Sequence, residues 1–131
     1  MENREELLTE ILKRVQKNYM HMAEIERITK ELGDALSRND QESAQLLIRM
    51  RQDEMERADA AKQEIHMLLQ ASGGEREKLL SWLKGEDKYP AECFEEKKIL
   101  ELSTQLLQAI NRTISVDKVI NSKVAGEKSY Y

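Results

Sequence analysis

The chain has 131 residues, 40% of them hydrophobic and 35% charged, with a net charge of −4, which suits one domain and argues against a nucleic-acid binder that works by neutralising phosphates. One cysteine, Cys93, excludes an internal disulfide or a thiolate metal cluster. No apolar run approaches the roughly 20 residues needed to span a bilayer, and the opening Met1 to Glu6 lacks the basic and apolar segments of a signal peptide; the expectations are no membrane insertion and a cytoplasmic location.

The first helix is predicted from Arg4 to Ser37. Leu8, Val15, Met22, Thr29 and Leu36 recur every seven residues, and Ile11, Asn18, Ile25 and Leu32 recur every seven between them. One apolar face sustained this way suits a coiled-coil-like bundle helix. Asn18 and Thr29 are polar positions in that seam, either setting register or facing a wet end. Glu10 with Arg14, Glu26 with Lys30 and Asp53 with Arg57 form helix-supporting pairs. Gly33 is expected to fray the last turn. Asn39 reads as the N-cap of the second helix, with Glu42 completing a capping box.

The second helix is predicted from Asp40 to Ala71. Its middle, Arg49 to Lys62, is heavily charged and is expected to pack through Met50, Met55, Ala58 and Ala61. Ser72-Gly73-Gly74 ends it. Glu75 to Lys84 makes a short third helix, stopped by Gly85, with Trp82 plugging the end of the bundle. After a loop, Pro90 occupies the first turn of the fourth helix, which runs from Ala91 to Ile120.

That fourth helix carries the widest apolar face, roughly 160° at 100° per residue; an ordinary core-facing helix needs little more than 100°. Ile99, Leu102, Leu106, Ala109, Thr113, Val116 and Ile120 form one row, assigned to the core. Leu100, Leu107 and Ile114, with Ile110 between the rows, form a flanking set assigned to a partner. The alternative is that both rows are covered within the monomer or in a homodimer. The bundle domain is thus 1–120, and 121–131 reads as a flexible tail ending in Tyr130-Tyr131. The fold class is all-α: an antiparallel bundle of three long, coiled-coil-like helices and one short one.

Nothing in the chain carries catalytic chemistry. His21 and His66 lack the convergent ligands of a metal site and read as bundle-edge residues. Cys93 has no histidine near it in sequence and reads as a small buried residue under the start of the fourth helix. Gly73-Gly74 is a helix stop, without the Gly-Lys-Ser/Thr of a phosphate loop. We read the chain as a non-enzyme without cofactor or metal, a helical binding protein.

Two stretches carry a family resemblance. Leu36 to Met55 is a polar turn, then leucines, then an Arg/Glu run. The end combines an aliphatic helix bearing Asn111 and Val116-Asp117-Lys118-Val119-Ile120 with Lys123 and the Tyr130-Tyr131 tail. In these the chain resembles the bacterial flagellar export chaperones of the FlgN and FliT type. The Glu75 to Lys84 helix and the Tyr89-Pro90 loop depart from that pattern. The resemblance implies a cytosolic chaperone that binds the C-terminal amphipathic helix of a hook-filament junction or filament-cap subunit, prevents its premature assembly and delivers it to the export apparatus. It implies no cofactor and no catalysis. A homodimeric structural or regulatory coiled coil is the competing function.

Overall fold

The computed structural model describes residues 4–128, with side chains through residue 122. It is an all-α bundle of four helices: α1 (Arg4–Ser37), α2 (Gln41–Gln70), α3 (Arg76–Leu83) and α4 (Phe94–Lys128), with a 3₁₀ turn at Gly73–Glu75 leading into α3. The long helices run up, down and up. Arg14 meets Glu64 and His21 meets Glu54, so α2 descends along α1. Arg4 meets Glu96 and Arg112 meets Glu26, so α4 climbs beside α1 in parallel with it.

Helix α1 is the spine. It packs along both α2 and α4, whereas α2 and α4 scarcely touch each other. The heptad pattern explains this: Ile11, Leu12, Val15, Ile25, Ile28 and Leu32 are all buried, a stripe broad enough to serve two neighbours. The polar seam residues stay dry. Asn18 is 6% exposed, and the fully buried Thr29 donates its hydroxyl to the Ile25 carbonyl at 2.6 Å.

The core is divided along the bundle's length. At the α3 end, Leu8, Ile11, Leu12, Val15, Ile65, Leu69, Leu79, Trp82 and Ile99 pack together. Trp82 is 1% exposed and donates its indole N–H to the Tyr89 carbonyl at 2.9 Å, so both its ring and its polar tip are satisfied. At the other end Ile28, Leu32, Ala35, Ala44 and Leu47 form a second cluster. Fully burying each large aliphatic side chain contributes about 1.5–3 kcal/mol before entropy is subtracted.

Several boundaries differ from those the sequence predicts, each for a local reason. Asn39 is not the N-cap of α2. It takes a left-handed conformation, φ +58°, that turns the chain, and Asp40 caps instead, its carboxylate accepting from the Ser43 N–H at 3.1 Å. Hydrogen bonding from the Ser43 side chain and then its backbone N–H, with Arg38 nearby, holds the Asp40 carboxyl below its usual range. Helix α4 starts at Phe94, not Ala91. The cap is Glu96, three residues into the turn, which reaches back to accept from the N–H groups of Glu92 (2.7 Å) and Cys93 (3.4 Å). Pro90 lies before the helix rather than in its first turn. The backbone of α4 continues through Lys128, past the last apolar stripe residue at Ile120, because the helical ladder needs no apolar face to extend. Tyr130 and Tyr131 lie outside the described residues.

Packing corrects three further expectations. Gly33 does not fray α1; the helix runs through it to Ser37, and a Cβ there would stand 3.4 Å from Ile120 Cδ1, at ordinary contact distance. Ala58 and Ala61 are buried in the charged stretch of α2, but Met50 and Met55 are 36% and 40% exposed. At 100° per residue the two methionines fall to either side of the Leu47–Ala58–Ala61–Ile65 stripe. Arg57 pairs with Glu54 at 2.9 Å rather than with Asp53. The Glu10–Arg14 and Glu26–Lys30 pairs form.

Candidate functional site

Because α2 and α4 both lean on α1 and not on each other, a groove opens between them. It holds about 550 Å³. Its floor is the α1 segment between the two core clusters: Val15, Asn18, Met22 and Ile25. One wall is α2, with Met55, Ala58, Ile65 and Leu69. The other is α4, with Leu106, Leu107, Ile110 and Ile114. Leu80 and Leu83 of α3 line one end. Arg51 and Asp117 close the other, where the guanidinium donates two parallel bonds to the carboxylate at 3.0 and 2.7 Å. Among the described residues, this is the one ion pair that passes directly from α2 to α4. The stretch of α4 from Ser103 to Asp117 spans about 21 Å at 1.5 Å per residue.

The structure treats the four predicted partner-binding residues differently. Leu107 (39% exposed), Ile110 (half-buried) and Ile114 (45% exposed) stand together on the groove's α4 wall. Leu100 does not join them. It packs against the core cluster at the α3 end, because α3 folds over the first turns of α4 and covers that part of the flanking row. Leu107 itself is pinned from behind: Gly85, at φ +74°, lets the loop after α3 come within 3.2 Å of Leu107 Cδ1, measured from the Cβ that glycine lacks. The row assigned to the core divides too. Ile99, Ala109 and Thr113 are buried, while Leu102, Leu106, Val116 and Ile120 are half-buried.

Outside the groove lining, Arg112 on α4 donates to Glu26 on α1 at 2.8 and 3.1 Å, and this pairing holds the Glu26 carboxyl below its usual range. Asp59, Lys62 and His66 line the α2 side. His66 is exposed and contacts Gln70 at 3.3 Å, while His21 meets Glu54 at 2.8 Å. Cys93 is half-buried against the α3-end core. Among the described residues no three His, Cys, Asp or Glu side chains are grouped to hold a metal, and no helix is long and apolar enough to cross a membrane.

Three features of the groove escape sequence reasoning. Met22 belongs to a heptad seam, yet it is half-buried and lines the floor because α2 and α4 leave that part of α1 uncovered. The Arg51–Asp117 bridge joins residues 66 positions apart and has no local signature. Ser103 is 1% exposed, lines the groove and has no hydrogen-bond partner for its hydroxyl; its one signal is a serine inside the apolar stripe between Ile99 and Leu106.

No family model, curated protein or solved structure matches the chain.

Proposed function

We propose that the chain is a helix-binding protein, a cytosolic chaperone of the flagellar export type that shelters the amphipathic C-terminal helix of a hook-filament junction or filament-cap subunit. The single observation that carries the helix-binding part is the groove: two helical walls, a floor that is apolar except for Asn18, and Leu107, Ile110 and Ile114 presented at i, i+3 and i+7 along its side. Such a surface takes the apolar face of one further helix, which would complete the bundle in the position that α2 and α4 leave open between them. Binding of this kind asks for no cofactor. The flagellar assignment rests on the resemblance of Leu36 to Met55 and of the chain's end.

The test uses the full chain with purified hook-filament junction and filament-cap subunits, read by calorimetry and size-exclusion chromatography. A one-to-one complex with one such subunit is expected, lost in the Leu107→Glu, Ile110→Glu double variant while circular dichroism stays helical. Binding to none of these subunits overturns the flagellar assignment, and undiminished binding by the variant overturns the site. A concentration-dependent dimer that Ile110→Glu abolishes would show that the groove face serves self-association instead.

A further inference from the structure

Ser103 breaks the habit of its helix. Thr104, Thr113 and Ser115 each donate a hydroxyl to the carbonyl four residues back, Leu100 at 2.9 Å, Ala109 at 2.8 Å and Asn111 at 3.1 Å. Ser103 makes no such bond with Ile99 or with anything else, though it is 1% exposed. A buried hydroxyl without a partner is unfavourable, whereas an apolar residue of similar size would not be. The hydroxyl is thus unpaired and enclosed, on a residue that lines the groove.

The helix register shows what lies across from it. Arg14–Glu64 and His21–Glu54 align α1 with α2, and Arg4–Glu96 and Arg112–Glu26 align α1 with α4. Ser103 is thereby level with Val15 and Lys62. Lys62 and, one turn along α2, Asp59 also line the groove, and neither forms an ion pair among the described residues. Two unpaired charges of opposite sign thus stand on the α2 wall, and across from them lies Ser103, whose unpaired hydroxyl is enclosed and reaches the groove by turning its side chain, in an apolar setting that includes Val15, Leu80 and Leu106.

We infer that the groove reads a polar code on its helix partner: an uncharged hydrogen-bonding side chain (Asn, Gln, Ser or Thr) within the partner's apolar stripe, seated on Ser103, with an acidic residue toward Lys62 and a basic residue toward Asp59. The inference rests on the helix-in-groove reading above and adds partner chemistry and register to it. The stripe residue is uncharged because Val15, Leu80 and Leu106 surround Ser103 and would strip water from an ion, while the Lys62 side chain stands out in solvent. The flanking pair is charged because Lys62 and Asp59 remain partly in water, where complementary charges select register and discourage wrong partners. The code also orients the occupant, its acidic residue lying nearer the α3 end.

The probe is a set of fluorescein-labelled amphipathic peptides of about 18 residues, long enough to follow the groove. Leucine fills the apolar stripe, Asn replaces it at each stripe position in turn, and a Glu/Lys pair flanks it in either order. Fluorescence anisotropy reports binding to the full chain. One Asn position is expected to bind about tenfold tighter than the all-leucine peptide, a difference worth about 1.4 kcal/mol, and Ser103→Ala is expected to erase that preference. Reversing the Glu/Lys order weakens binding, and the Asp59→Lys, Lys62→Glu double variant restores it. In the free protein, Ser103→Ala raises the thermal midpoint, since it removes an unsatisfied group. If the all-leucine peptide binds as tightly as every Asn peptide, the code is wrong and the groove reading stands. If no peptide binds, the groove reading fails and the code with it. A midpoint lowered by Ser103→Ala means that the hydroxyl is already satisfied in the free protein, which also overturns the code.

Discussion

Glu96 ties three segments together, and its removal has a calculable cost. Its carboxylate is 5% exposed, accepts the N–H groups that start α4, and pairs with Arg4 at the start of α1. Glu96→Ala deletes the cap, worth about 1 kcal/mol, and a charge-assisted bond to a half-exposed arginine of similar worth; leaving the Glu92 N–H poorly solvated brings the total to about 2–3 kcal/mol. With an unfolding entropy of about 2.1 cal/mol/K per residue, 131 residues convert this into a midpoint lowered by about 7–11 °C. Glu96→Gln keeps an oxygen for the Glu92 N–H but loses the charge, and should lower it by about 4 °C. The pH dependence supplies a second reading. Burial pushes the Glu96 carboxyl up, but the Glu92 N–H, the Arg4 guanidinium and the Cys93 N–H together outweigh it and hold it below its usual value of 4.5. A carboxyl lowered in the folded state binds fewer protons there than in the unfolded chain. Its stabilisation is therefore complete above pH 4.5 and is lost as pH falls through the lowered folded value. Thermal melts of parent and Glu96→Gln should differ most at pH 7 and converge toward pH 3. A Glu96→Ala midpoint within about 2 °C of the parent, or a parent–Gln gap that does not narrow with acid, would refute the capping argument.

Substitutions at two further positions probe helix contacts and the turn between α1 and α2. Gly33→Ala places a methyl at ordinary contact distance from Ile120 while removing a helix-interior glycine, so urea denaturation should show a gain of about 0.5–1 kcal/mol; Gly33→Leu should reverse the sign by pushing α4 away. Asn39→Val forces a β-branched residue into the left-handed turn at φ +58° and should cost about 1–2 kcal/mol by the same assay, whereas Asn39→Gly should be nearly neutral.

Local patterns were enough for the helices and too little for their relations. The seven-residue repeat of Leu8, Val15 and Met22 identifies α1 with its observed ends, and Gly85 and Trp82 take their expected parts in the turn and the end plug. The α4 start was misplaced because Cys93 has no side-chain oxygen to cap with, and the cap comes from Glu96 reaching backward. The partner set was legible in part: the width of the α4 face singles out Leu107, Ile110 and Ile114, but it cannot separate Leu100, which only the fold of α3 covers.

By itself the sequence determines an all-α chain, because hydrophobic period, capping residues and glycine stops act over a few residues and leave their mark locally. The tertiary structure alone decides that α1 is shared by two neighbours that avoid each other. That arrangement depends on contacts between residues far apart in the chain, such as Arg14 with Glu64 and Glu26 with Arg112. It makes a floor residue of Met22, a wall of Leu107, Ile110 and Ile114, and an unpaired hydroxyl of Ser103. Periodicity shows that a face is apolar; only the placement of the other helices shows which part of that face is left uncovered.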